Sequence, residues 1–419
     1  MKKNPLVPRL QILLAVLLMV IVRPSLAQQP VRIAFMDPLS GSFASIGTSG
    51  LKQIQFAADY YFNSRGGILG GRMIEIVPFD NQQSPTETQI QFRRIVSDDL
   101  RIVFQGNSSA VANTLNDTIN RHNRRNPGQE ILQINYSAVD PILTEENCSF
   151  WHFRFDAHAV MKLHILTDYI AMNDDIKSMY IIGQDYSFGH VVSETAIDLL
   201  QQKRPDIEIV GNEFHPIGQV KDFTPYVTKI VASGADAVIT GNFGADMVSL
   251  ARSIIDSGLD IPIYTFYAAY DGITATLGED AKGQVYLIHN ETSNPLPTEE
   301  RKQFTRAFKA ANPNNDVTQP RIINALRMVV AAMEKSKSTD PYDIALALED
   351  MRFTNFSNEE IWIRADDHQS FQSLHISVHT DENVEFDADN SGFGLHSIFH
   401  VPAEETILET SCRMRRPNR

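Results

Sequence analysis

The residues with the most chemistry to offer sit where apolar runs end. Gly106-Asn107-Ser108-Ser109 closes the run Arg101–Phe104, and Ser137-Ala138-Val139 closes Ile131–Asn135. Ser40-Gly41-Ser42-Phe43 follows Val31–Met36 in the same way. Small hydroxyl residues that open a helix present a hydroxyl and free backbone N–H groups together, and that combination receives a carboxylate. Later runs end on Asp185-Tyr186-Ser187-Phe188, Asn242-Phe243 and Tyr267, with Tyr270 close behind. Aromatic side chains at such ends can close over an apolar body. The candidate binding residues are therefore Ser40, Gly41, Phe43, Asn107, Ser108, Ser109, Ser137, Ala138, Val139, Asp185, Phe188, Asn242, Phe243 and Tyr267. Plainer roles exist for several of them. Ser108 and Ser109 can be helix caps, Ser40–Phe43 a turn, Phe188 core, and Asp185 a loop cap.

Bond-making chemistry finds no support in the spacing. The chain has no P-loop, no dinucleotide glycine fingerprint and no His-Glu-x-x-His. Gly47-Thr48-Ser49-Gly50 has the wrong spacing for a nucleophile elbow. Twelve His invite a metal reading, and His152 with His158, or His375 with His379, have suggestive separations. No Cys/His cluster accompanies them. No catalytic residue, cofactor or metal is expected.

Strands alternating with helices must hold these residues. Strands are read at Val31–Met36, Met73–Phe79, Arg101–Phe104, Ile131–Asn135, Ser178–Ile182, Ile207–Val210, Ala237–Thr240, Ile263–Phe266 and Val285–Ile288. Helices lie between them, and that wiring means parallel sheets covered on both faces. The strands are too many for one comfortable sheet, so two α/β lobes are expected, with the first crossing at Phe150–His158. Arg65-Gly66-Gly67-Ile68-Leu69-Gly70-Gly71-Arg72 ends one helix and turns into a strand, so it is wiring and not a nucleotide loop. After Asn290 come three helices in succession, Thr298–Ala311, Gln319–Ser336 and Pro341–Met351, then an alternating stretch Ser370–His379. This tail is expected to cover the two lobes rather than build a sheet of its own. A chain that crosses more than once makes a hinge suited to closure.

The first residues read as a secretory signal: Lys2, Lys3 and Arg9, then the apolar run Ile12–Val22, then Ser25-Leu26-Ala27 as a small-x-small site. Cleavage near Ala27 and a periplasmic mature chain are expected. The formal charge of −14 argues against nucleic acid as a partner. Cys148 and Cys412 are either one disulfide or two free thiols, and an exported chain favours the disulfide.

Several short stretches then fall into a familiar order. These are Ile33–Gly41, the Arg65–Arg72 turn, Asp140-Pro141-Ile142-Leu143-Thr144, Phe153-Arg154-Phe155, Gln184–Gly189 and Val220–Pro225. Together they resemble the periplasmic substrate-binding proteins of branched-chain amino acid ABC importers, over about residues 31 to 380. The resemblance implies a type I periplasmic-binding-protein fold, with two Rossmann-like lobes, a multi-strand hinge and a ligand in the cleft. On that reading, residues 28–152 with 290–356 form one lobe, 153–289 with 357–385 the other, and 386–419 an extension. It implies capture of an amino acid or related carboxylate or amide by hinge closure, and a membrane ABC permease as partner to a monomer. A sensor of the same fold, or an exported α/β enzyme, are the alternatives. The resemblance also implies that the Ser109 region and the Ser137–Val139 turn hold the ligand carboxylate, that Phe188 packs on its side chain, and that the loop at Tyr267 carries an acid for its ammonium. Two departures stand out. Val139 replaces a hydroxyl residue, and Tyr267 stands near the expected Glu, with Asp185 or Asp271 as possible substitutes.

Overall fold

The computed structural model describes residues 29–291 and 294–418; the signal segment and its cleavage site lie outside them. The chain opens with β1 (Val31–Asp37), α1 (Ala44–Tyr61), β2 (Ile74–Asp80), α2 (Pro85–Ser97), β3 (Ile102–Gln105), α3 (Ser109–Arg125), β4 (Leu132–Asn135) and β5 (His152–Arg154). These five strands make one sheet in the order β2-β1-β3-β4-β5, parallel throughout. β3 and β4 are buried along their whole length, as a parallel sheet covered on both faces requires.

A second unit follows. It comprises α4 (Ala159–Ala171), β6 (Ser178–Gln184), α5 (Ser187–Lys203), β7 (Glu208–His215), α6 (Thr224–Ser233), β8 (Ala237–Thr240), α7 (Ala245–Asp256), β9 (Ile263–Thr265), α8 (Ile273–Leu277) and β10 (Val285–His289). Three more helices come next, α9 (Glu299–Ala311), α10 (Pro320–Ser336) and α11 (Pro341–Leu348). The chain ends with β11 (Arg352–Thr354), β12 (Glu360–Ile363), β13 (Ser370–Phe371), β14 (Leu374–Thr380) and β15 (Gly394–Val401). The second sheet runs β15-β14-β10-β9-β8-β6-β7.

Two hydrophobic cores result. One gathers β1–β5 with Phe304, Ile322, Val329 and Ile344 of the late helices and Ile361 and Ile363 of β12. The other gathers β6–β10 with Leu374 and Ile376 of β14. The chain thus passes from the first core to the second after β5, returns after β10, and passes over again between β12 and β14. The junctions are polar and buried. Arg154 is fully buried and donates to Asp140 O, Gln369 Oε1 and Thr144 Oγ1. Glu291, just past β10, pairs with Arg301 at 2.9 Å and accepts from Ser357 Oγ and the Asn324 amide.

The expectation about the tail needs correction. β11, β12 and β13 form a three-stranded antiparallel sheet of their own, and β14 and β15 extend the second sheet antiparallel. Strands of two to four residues carry too little alternation to be read from the sequence. Cys148 and Cys412 are disulfide-bonded, with their Cα atoms 5.8 Å apart. The end of the chain is thereby held on the first lobe, where Ser411 N also donates to Glu145 and Arg416 meets Glu349 at 2.6 Å. Among the described residues, no helix is long and apolar enough to cross a membrane.

Candidate ligand-binding site

Between the two sheets, where β3, β4, β6, β8 and β9 end, lies a small cavity of about 10 Å³. Strand carboxyl ends are where open α/β sheets bind ligands, because helix N-termini and free loop backbone converge there. Gly106, Asn107, Ser108, Ser109, Ser137 and Ala138 line it from the first lobe; Tyr186, Phe188, Phe243, Tyr267 and Tyr270 line it from the second.

The first-lobe wall is set by a buried carboxylate. Asp37, at the end of β1, accepts from Gly106 N at 3.2 Å, Asn107 N at 3.0 Å, Asn107 Nδ2 at 2.9 Å and the Tyr136 hydroxyl. Burial raises its pKa to about 7, against the lowering effect of the Asn107 and Gly106 hydrogen bonds. A Cβ on Gly106 would lie 2.4 Å from the Tyr136 ring, so only glycine lets Tyr136 reach Asp37 here. The fixed loop delivers the chain to Ser108 at φ +74, outside the comfortable range of a serine, and α3 begins at the next residue. Ser108 does not cap α3 with its side chain. Ser108 and Ser109 line the cavity, and the first-turn N–H groups of α3 have no helical carbonyl to reach. This is an anion-receiving arrangement.

The second-lobe wall is a continuous ring cluster. Phe188 and Tyr267 are 5.8 Å apart, as are Phe243 and Tyr267, and Tyr267 stacks on Tyr270 at 6.2 Å. Tyr186 touches both phenylalanines. Burial lifts the Tyr186 and Tyr267 hydroxyls well above their usual pKa, so both stay neutral.

Behind the tyrosines sits a charged cluster that sequence reasoning did not assemble. Asp156 lies 2.9 Å from Lys162 Nζ and 3.7 Å from Arg321 Nε, all three buried. Arg321 donates to Ser137 Oγ at 2.8 Å, while its Nε has no hydrogen-bond acceptor. One carboxylate therefore faces two cations. Burial disfavours the charge on Lys162 and lowers its pKa. It also disfavours the charge on Arg321, but Asp156, Tyr270 and Tyr267 outweigh it there and the pKa rises. Asp156 follows β5 and Lys162 lies in α4, whereas Arg321 lies in the first turn of α10. Nothing local in the sequence ties Arg321 to the other two.

Asn107, Ser108, Ser109, Ser137, Ala138, Phe188, Phe243 and Tyr267 thus share one cavity, joined by Gly106, Tyr186 and Tyr270. The other named residues stand outside its wall. Ser40 and Gly41 form an exposed turn, with Ser40 Oγ on Asp80 at 2.5 Å. Phe43 reaches across to the second lobe, 5.0 Å from Phe243, where a Cβ on Gly244 would meet it at 2.9 Å. Val139 is core, Asp185 is exposed and paired with His190 at 2.9 Å, and Asn242 is buried against His215. Asp271 does not enter the cavity. It accepts from Ser49 Oγ, Asn315 Nδ2 and Asp316 N at 2.6–3.0 Å, a latch between lobes. Among the described residues, no acid lines the cavity.

The histidine pairs suggested by spacing do not form. His152 packs on Asn135, and His158 accepts from Met161 N at the start of α4. His379 turns to Gly278 O, away from His375.

A polar anion-receiving wall facing an aromatic wall across a multi-strand hinge defines a ligand-gripping clamp. The chain belongs to the periplasmic binding protein family, whose model matches residues 30–378. It is 28% identical to the Leu/Ile/Val-binding protein homolog 4 of Brucella abortus, over 93% of this chain and 94% of that one. The closed conformation of the leucine-, isoleucine-, valine-, threonine- and alanine-binding protein of Brucella ovis superposes with a TM-score of 0.81 at 27% identity. It covers 93% of this chain and 100% of its own. A solute-binding protein of an R. palustris ABC transporter, in complex with benzoate, shares the fold at TM-score 0.75 and 18% identity, over 92% and 99% of the two chains. The relatives are solute-binding proteins, and binding a small ligand is the role of this chain.

Proposed function

We propose that the chain is the extracytoplasmic solute-binding component of an ABC importer, and that its solute is a small carboxylate with an apolar body and no ammonium group. Export follows from the N-terminal signal, with cleavage near Ala27. The lobes close over the solute as a monomer, no bond is made or broken, and the closed form is presented to the membrane permease. One observation carries the choice of solute: the cavity sets Ser108 and Ser109, at the opening of α3, against five aromatic rings, beside a buried cluster with one more cation than carboxylate. A bound carboxylate balances that surplus, since a buried charge is tolerated only when paired. An α-amino acid would also bury an ammonium, which among the described residues no lining carboxylate receives.

The test compares leucine with 4-methylpentanoate, which is leucine without its amino group, and with benzoate. Melting temperature and small-angle scattering are followed on the purified protein. Stabilisation and compaction by the ammonium-free acids, with leucine weaker by tenfold or more, are expected. Leucine binding as tightly as 4-methylpentanoate overturns the choice of solute. No shift with any amino acid, amide or organic acid overturns the binding role itself.

A further inference from the structure

The geometry points to a transition-metal site, of the zinc class, formed by Glu359, His375 and His400 at the third passage between the lobes. His375 on β14 and His400 on β15 are directly opposite in the antiparallel register, so they project from one face. Their rings are 4.7 Å apart. Glu359, in the turn before β12, points its carboxylate at both: Oε2 is 3.9 Å from His375 Nε2 and Oε1 is 3.6 Å from His400 Nε2. One donor atom from each residue lies within 4.8 Å of the other two. A tetrahedral zinc with ligands at roughly 2.0–2.2 Å sets its donors about 3.4 Å apart. Small rotamer shifts bring the three into place.

These separations are too long for hydrogen bonds. Glu359 Oε2 is buried and has no hydrogen-bond partner. Ser373 and the two imidazoles are the polar neighbours of this carboxylate, and an ion between the three ligands would satisfy Oε2. The supports are already built. His375 Nδ1 is 3.2 Å from Ser397 Oγ, which orients the ring and leaves Nε2 for the ion. The Glu359 backbone is pinned in both directions, its N–H on Asn355 Oδ1 at 2.9 Å and its carbonyl on Asn355 N at 2.8 Å. The His400 side chain is 48% exposed, which supplies an entry path and room for a water as fourth ligand. Two imidazoles and a carboxylate suit zinc, copper or nickel and not magnesium or calcium.

The site has a mechanical consequence. Glu359 belongs to a hairpin packed on the first core, while His375 and His400 belong to the second sheet. A bound ion cross-links the two beside the hinge.

The test uses untagged, chelator-treated protein titrated with ZnCl2 by calorimetry, and with cobalt(II) to read tetrahedral coordination in its visible absorption. One zinc per chain is expected. At a hundredfold excess over Kd, melting should rise by about 3–5 °C. MgCl2 and CaCl2 should do nothing. His400→Ala, half-exposed and harmless to packing, and Glu359→Gln should each weaken zinc by more than tenfold while melting normally without metal. Absence of stoichiometric binding, or binding unchanged in both variants, overturns the proposal.

Discussion

Asp37 holds the loop that opens α3, and its protonation should be visible in the stability of the protein. The carboxyl is fully buried and its pKa stands at about 7 against an ordinary 3.8. A carboxyl raised in the folded state adds stability that is fully present below the unfolded value and is lost as pH rises through the folded one. The window is therefore pH 3.8 to 7, and about 1.4 kcal/mol per unit over that span makes a loss of about 4 kcal/mol. Asp37→Asn isolates the effect. The amide keeps the shape and its oxygen still accepts from Gly106 N and Asn107 N; its nitrogen faces the Tyr136 oxygen, which can accept, and the Asn107 amide, which must turn over to present its own oxygen. The variant cannot titrate at this position. Urea unfolding of both proteins from pH 4 to 8 should show the wild type losing stability relative to the variant as pH rises, steepest between pH 4 and 7. A difference that stays flat across this range would mean that Asp37 ionises as readily folded as unfolded, and the raised pKa would be wrong.

Arg321→Met removes the surplus cation but leaves Asp156 paired with Lys162, so carboxylate affinity should fall about 10- to 100-fold by calorimetry, the equivalent of one charged hydrogen bond. Melting without ligand should change little. Glu291→Ala strands Arg301, which is 2% exposed, and should cost about 3–5 kcal/mol in denaturant unfolding. Replacing Cys148 and Cys412 together by serine frees a chain closed over 264 residues, and should lower stability by about 2–5 kcal/mol. Reductant should lower the wild-type melting temperature and leave that variant unaffected.

The α/β wiring was readable because helices and strands of the two lobes are long and their periodicities local: α2 at Pro85–Ser97 needs only its own residues to declare itself. Most of the cavity was readable for a related reason. Ser108, Ser109, Ser137, Phe188 and Tyr267 occupy strand ends, and in a parallel sheet all strand ends meet on one side. What the sequence could not show is anything decided by which strand ends approach which. Ser40 and Asp185 also follow strands, yet they face solvent, because only lobe packing decides which loops turn into the cleft. β11 to β13 pair through contacts too short for any period to reveal. Arg321 meets Asp156 across more than a hundred and fifty residues, and His375 finds His400 in place of His379, because β14 and β15 run opposite in register. Local sequence determined the elements and their chemistry. The tertiary structure alone chose the partners, since burial and charge pairing are settled between segments that share no sequence neighbourhood.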